Sequence, residues 1–177
     1  MVQALGQSLR RLQTDHADIS CLHRGFAGIR LEEPLRALDD RLRSGNIRYS
    51  GLCNFRGRRI GGMVHLAARL GMPCPVVCQP HDNLLNRMPA GEILPACQHH
   101  GIGAAPYSPV ARGVLTGNYR PGAAPEAGSR DGRGGATSAS PKPSFAPSRW
   151  PSPGGSGPTW RPKRVSLAQL ATARMLA

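Results

Sequence analysis

The sequence predicts an α/β fold of parallel strands joined by crossover helices, and three observations carry that reading. Over residues 3 to about 120, apolar positions alternate between helical spacing and short continuous runs. The runs end near His23, Cys53, Gln79 and Tyr107, at spacings of 30, 26 and 28 residues. An even βα repeat of this kind belongs to a barrel or to a doubly wound sheet. The third observation separates the two. A dinucleotide-binding doubly wound sheet carries G-x-G-x-x-G between its first strand and first helix. The nearest stretch, Gly101-Ile-Gly103-Ala-Ala-Pro106, lacks the third glycine and leads into a strand. The expected fold is therefore a partial (β/α)8 TIM barrel, since a whole one takes about 250 residues.

Each element follows from local pattern. Leu5, Leu9 and Leu12 share one helical face, and Ile19 to His23 reads as a strand. Leu31, Leu35, Leu38 and Leu42 recur as an amphipathic helix, with Gly45 as its C-cap. Ile47 to Leu52 is a strand. Ile60 to Leu70 is helical in pattern, although Gly61 and Gly62 weaken it by about 1 kcal/mol each. Gly71 ends that helix, and Pro75 to Cys78 is a short buried strand. A helix over Ile93–His100 ends at Gly101, and Ile102 to Tyr107 is the last strand. Residues 1–120 are read as the barrel portion.

Residues 121–164 differ. Of these 44 residues, 24 are Pro, Gly or Ser, and periodic apolar positions vanish. Such a segment cannot bury enough surface to offset its ordering entropy, so a disordered tail is expected. Residues 165–177 regain a helical pattern, with Ser166 as N-cap.

The formal net charge is +13, and all but two of the 23 basic residues are arginine. The arginines are scattered rather than gathered on a helix, which argues for coding bias and against a nucleic-acid partner. No run of about 18 apolar residues exists, so no membrane span is expected. The first residues do not resemble a secretory signal. Five cysteines, an odd number, suit reduced thiols in a cytoplasmic protein. Cys74 and Cys78 lie in a strand with no second pair at zinc-finger spacing, so no metal is expected.

In parallel barrels, functional residues gather at the carboxyl ends of strands. There the sequence offers His23, Cys53 with Asn54, Gln79, and Tyr107 with Ser108. These supply an acid/base group, amides able to read a carboxamide, and a ring able to stack on a heterocycle. The chain resembles the aldo/keto reductases, in the class close to the potassium-channel beta subunits. The resemblance rests on Ser8 to Asp15, Leu22-His-Arg24, Leu35 to Asp40, Gly51-Leu-Cys-Asn-Phe55, Gln79-Pro-His81, Asn83 to Arg87, and Pro106 to Gly113. Val165 to Ala171 is similar to a late helix of that family.

The resemblance implies strands four to seven of the barrel and NADP as cofactor. It gives His23 a place in a catalytic tetrad, where it orients and polarises a small-molecule carbonyl substrate. Cys53, Asn54 and Gln79 take the nicotinamide carboxamide, and Tyr107 stacks on its ring. Ser108, Val110, Arg112 and Gly113 line the pyrophosphate loop. Departures accompany it: Cys53 replaces a serine, Gly25-Phe26 a Pro-Asp pair, and Asp82 an aromatic residue. The strands that carry the tetrad's aspartate, tyrosine and lysine have no counterpart here, nor do the last strand and the 2′-phosphate grip. Residues 130–164 resemble nothing in the family, as a compensated frame shift would produce. The expected function is NADP-dependent reduction of aldehydes or ketones, weak or absent in this truncated chain. The alternatives are a non-enzymatic half-barrel that associates through its open sheet edges, with itself or another chain, and a decayed product without stable fold.

Overall fold

A computed structural model describes residues 2–25, 28–116 and 165–176. They fall into two compact units: Met1–His81 with Arg87–Tyr107, and Asp82–Asn86 with Ser108–Ala177. The segment 121–164, read from composition as disordered, lies outside the described residues.

The first unit runs α1 (Val2–Leu12), β1 (Ala17–Leu22), α2 (Glu32–Arg43), β2 (Ile47–Cys53), α3 (Gly57–Leu70), β3 (Val77–Gln79), a 3₁₀ turn (Met88–Gly91), α4 (Ile93–His99) and β4 (Gly103–Ala104). The strands form one sheet in the order β1-β2-β3-β4, every pair parallel. This is the α/β alternation of a partial (β/α)8 barrel. Leu22, Leu52, Cys78 and Ala104 form one row across the sheet. Leu52 and Cys78 are fully buried with Leu35 of α2, Ile60, Met63 and Ala67 of α3, and Cys97 of α4. Each large aliphatic side chain buried this way contributes about 1.5–3 kcal/mol. The alternate row, Cys21, Gly51, Val77 and Gly103, faces the other way. On that face Ile19 and Tyr49, partners in register, stay 49% and 53% exposed.

Within the core, the Cys78 thiol hydrogen-bonds to Cys97; this bond, then burial, pushes Cys78 far up. The same bond works in the opposite direction on Cys97, against its own burial. All five cysteines are free.

β1 runs from Ala17 to Leu22 rather than Ile19 to His23, β3 from Val77 to Gln79 rather than Pro75 to Cys78, and α4 stops at His99; two further boundaries depart more widely from the sequence pattern. α3 begins at Gly57, ahead of its first apolar residue, Ile60. Its entry is fixed from outside, because Glu92 Oε1 accepts from Arg58 N at 3.3 Å and Glu92 Oε2 lies 3.6 Å from Arg56 Nη1. A Cβ on Gly57 would meet Glu92 Cγ at 2.8 Å and Glu92 O at 2.9 Å. The helix ends where expected, with Gly71 left-handed at φ 63°. The second departure is β4, regular only at Gly103–Ala104. Its ladder nevertheless continues: Gly103, Ala105 and Tyr107 donate in turn to Val76, Cys78 and Pro80 carbonyls at 2.9, 2.9 and 3.0 Å. Pro106, which has no N–H, falls on the unbonded step.

In the second unit, Asn83 Oδ1 accepts from Leu85 N and Asn86 N at 3.0 and 2.9 Å, closing a tight turn. A kinked 3₁₀ segment (Ala111–Thr116) buries Leu115, and α5 (Leu167–Ala173) buries Ala171 beside it. Ser166 caps α5 as predicted. Its hydroxyl accepts from Gln169 N at 3.1 Å while Ser166 N donates to Gln169 Oε1 at 2.8 Å.

Candidate functional site

Parallel pairing brings His23, Cys53, Asn54, Gln79 and Tyr107 to one end of the sheet, and hydrogen bonds tie them together. β2 ends at Cys53, and Asn54 turns left-handed at φ 56°, a conformation asparagine tolerates better than most residues. That turn lets its carboxamide work in two directions. Asn54 Nδ2 donates to the His23 carbonyl at 3.2 Å and to Cys53 Sγ at 3.2 Å. Asn54 Oδ1 accepts from the Tyr107 hydroxyl at 3.0 Å. Asn54 N donates to the Gln79 carbonyl at 3.4 Å, and Gln79 lies opposite Cys53 in register.

The five side chains differ in access. His23 and Gln79 are exposed, Asn54 and Tyr107 half-buried, and Cys53 only 3% exposed. Burial, then the neighbouring Cys21, pushes the Cys53 thiol up, so it is a neutral, weak partner rather than a nucleophile. The His23 imidazole makes no hydrogen bond among the described residues.

The other four predicted residues lie in the second unit and form a loop of their own. The Ser108 carbonyl accepts from Asn83 Nδ2 at 3.1 Å and from Ala111 N at 2.9 Å. The Val110 carbonyl accepts from Gly113 N at 2.9 Å and Leu115 N at 3.2 Å. Ser108, Ala111, Arg112 and Gly113 all have positive φ, between 48° and 98°. Each non-glycine residue held there costs on the order of 1 kcal/mol or more.

Two features escaped the sequence reading. His81 stacks on Tyr107, with ring centroids 5.0 Å apart and planes 15° from parallel, and the two residues form a parallel β-bridge. No local signal announces this, because the partners are separated by a whole βα unit. Asp82 is 1% exposed, and its Oδ1 has no hydrogen-bond partner among the described residues. A hollow of about 710 Å³ lies at the opposite end of the sheet, around Asp15, His16, Asn46 and Tyr49. The Asp15 carboxylate there is 95% exposed and held low by its hydrogen bond to His16 Nδ1 at 2.7 Å. That amino end is the stability end of a barrel, not its chemical end. Among the described residues no three His, Cys, Asp or Glu side chains gather as metal ligands, and no helix is long and apolar enough to cross a membrane.

Comparison with known proteins identifies the family. The model of the aldo/keto reductase family matches residues 1–152. Over 126 residues the chain is 36% identical to a protein of Arabidopsis thaliana described as "Probable voltage-gated potassium channel subunit beta", covering 71% of this chain and 38% of that one. It is 33% identical over 120 residues to the L-glyceraldehyde 3-phosphate reductase of Escherichia coli, covering 67% and 34%. It is also 33% identical over 113 residues to the aldo-keto reductase AMT2 of Alternaria alternata, covering 64% and 31%. The chain thus spans about a third of the length of the curated relatives it matches.

Proposed function

The chain belongs to the aldo/keto reductase family, and from that premise we propose that it forms the nicotinamide-facing rim of an NADP-dependent oxidoreductase acting on aldehydes or ketones. The observation that carries this reading is the hydrogen-bonded chain from the Tyr107 hydroxyl through the Asn54 carboxamide to the His23 carbonyl.

The residues present fit a nicotinamide. An amide oxygen has two lone pairs. The Tyr107 hydroxyl takes one on Asn54 Oδ1, which leaves an acceptor for a carboxamide N–H. Both hydrogens of Asn54 Nδ2 are engaged, so the amide cannot flip without breaking three bonds. Gln79, exposed at the end of β3, would add a second amide contact, and the half-buried Tyr107 ring a stacking surface. Cys53 would act through Asn54, whose amide it helps to fix. Ser108, Val110, Arg112 and Gly113 would take the pyrophosphate loop's part that the family resemblance gives them, with the Arg112 charge for the phosphates. The exposed His23 imidazole would orient and polarise the substrate carbonyl. The bound cofactor supplies the hydride, while these residues supply binding and orientation. Five free cysteines suit a reducing, cytoplasmic setting.

Titration of the purified protein with NADPH tests the reading. Saturable quenching of tyrosine fluorescence is expected, and Tyr107→Ala should weaken binding about two- to tenfold. Absence of saturation up to about millimolar cofactor, the weak limit of specific affinity, would overturn it.

The exposed pair Ile19 and Tyr49 favours a second reading, in which the uncovered sheet face associates with a second copy of the chain. Oligomeric state in solution decides it.

A further inference from the structure

We propose that His81 is a positioning residue: its imidazole holds the Tyr107 ring in place, and through that ring helps to aim the Asn54 carboxamide. The inference rests on the nicotinamide reading for its consequence, but not for its geometry.

Three observations converge on it. The rings of His81 and Tyr107 lie 5.0 Å apart at 15°, an offset stack. The backbones beneath them are tied as well, since His81 and Tyr107 form a parallel bridge and Tyr107 N donates to the Pro80 carbonyl at 3.0 Å. The contact is therefore imposed by the sheet and does not depend on a chance meeting of surface side chains. Beyond the ring, the Tyr107 hydroxyl donates to Asn54 Oδ1 at 3.0 Å. The hydroxyl oxygen lies on the long axis of the ring, so it is the first side-chain torsion that moves it, and a hydrogen bond weakens steeply with distance and angle. A partner stacked on the ring resists that swing and so helps to hold the bond.

The effect passes from His81 to the far side of the rim. Asn54 sits on a left-handed turn at φ 56°, and Nδ2 of the same amide reaches the His23 carbonyl at 3.2 Å. If the Tyr107 hydroxyl swings away, the amide keeps its two Nδ2 bonds but loses the one that holds Oδ1. The lone pair offered to a ligand amide is then less firmly aimed, and ligand binding must supply part of the ordering. His81 need not touch the ligand for this to follow. The residue contributes a flat ring to the stack, so an aromatic replacement should serve and an aliphatic one should not.

The test uses the full chain labelled for nuclear magnetic resonance, as wild type, His81→Ala, His81→Leu and His81→Phe. Two signals are followed without cofactor: the Asn54 side-chain amide and the Tyr107 ring. In His81→Ala the Tyr107 ring resonances should lose their ring-current displacement, and the Asn54 amide should move toward the position of a free carboxamide. The Kd for NADPH should rise about two- to tenfold, the equivalent of one lost aromatic stack. His81→Phe should restore both signals and the affinity. Should His81→Ala fail to fold, His81→Leu takes its place, with similar bulk and no aromatic face. An Asn54 amide unmoved in the aliphatic variants would overturn the proposal, as would His81→Phe behaving like them. If wild type binds no NADPH, the nicotinamide reading falls, while the two cofactor-free signals still decide the positioning role.

Discussion

Gly51 is the tightest point of the sheet. A Cβ there would lie 2.6 Å from Cys21 Sγ and 2.6 Å from Val77 Cγ1, so its neighbours on both sides would have to shift. Gly51→Ala should destabilise the fold by about 1–3 kcal/mol, the usual cost of overpacking, read as a fall in the urea midpoint. Gly91→Ala is the control, because nothing lies within 4 Å of its added Cβ. Equal midpoints for the two variants would refute the argument. In the sequence Gly51 is one residue of an apolar strand, with no sign that it must be glycine. Its crowding comes from Cys21 and Val77, which only the sheet brings beside it. His81 was hidden for the same reason. Asn54 and Tyr107 were legible because a parallel sheet sends every strand end to one rim, so their meeting needed only the strand count. Their hydrogen bond needed the structure.

At the scale of elements, the leucine periodicities marked the helices but not where each begins. α2 matched well: Leu35 and Leu38 are buried, Glu32 and Glu33 occupy its first turn, and Arg41 and Arg43 its last, as the helix dipole favours. The start of α3 was illegible because its first turn, Gly57-Arg-Arg59, has no apolar residue and its anchor is Glu92, supplied by a later segment. Removing that carboxylate tests the point. Glu92→Ala should cost about 1 kcal/mol and speed amide hydrogen exchange at Arg58 and Arg59. Amides near Leu70 should be unaffected, since Gly71 caps that end independently. Uniform acceleration along α3 would mean that Glu92 acts on the whole helix rather than on its entry.

On the scale of the molecule, the fold class was legible because an even βα repeat with right-handed crossovers leaves few topologies. Less legible was how unequally the two sheet faces are treated. One is roofed by α2, α3 and α4, whereas the other leaves Ile19 and Tyr49 about half exposed side by side. A charge placed there should discourage association, as inward-pointing lysines do in natural sheets. Wild type should therefore elute from a sizing column as a concentration-dependent dimer, and Ile19→Lys as a monomer with an unchanged circular dichroism spectrum. A wild-type chain that stays monomeric at every accessible concentration would remove the second reading.

The alternate-residue ladder of Gly103, Ala105 and Tyr107 gives this rim a parity. Tyr107 faces His81 and Asn54 because it stands an even number of residues from Gly103. Losing one residue between Ala104 and Pro106 would turn the ring to the opposite face of the sheet. It would also move proline onto a step that needs an N–H. Length changes in this short stretch are therefore tolerable only in twos, which makes its residue count as much a determinant of the site as its residue types.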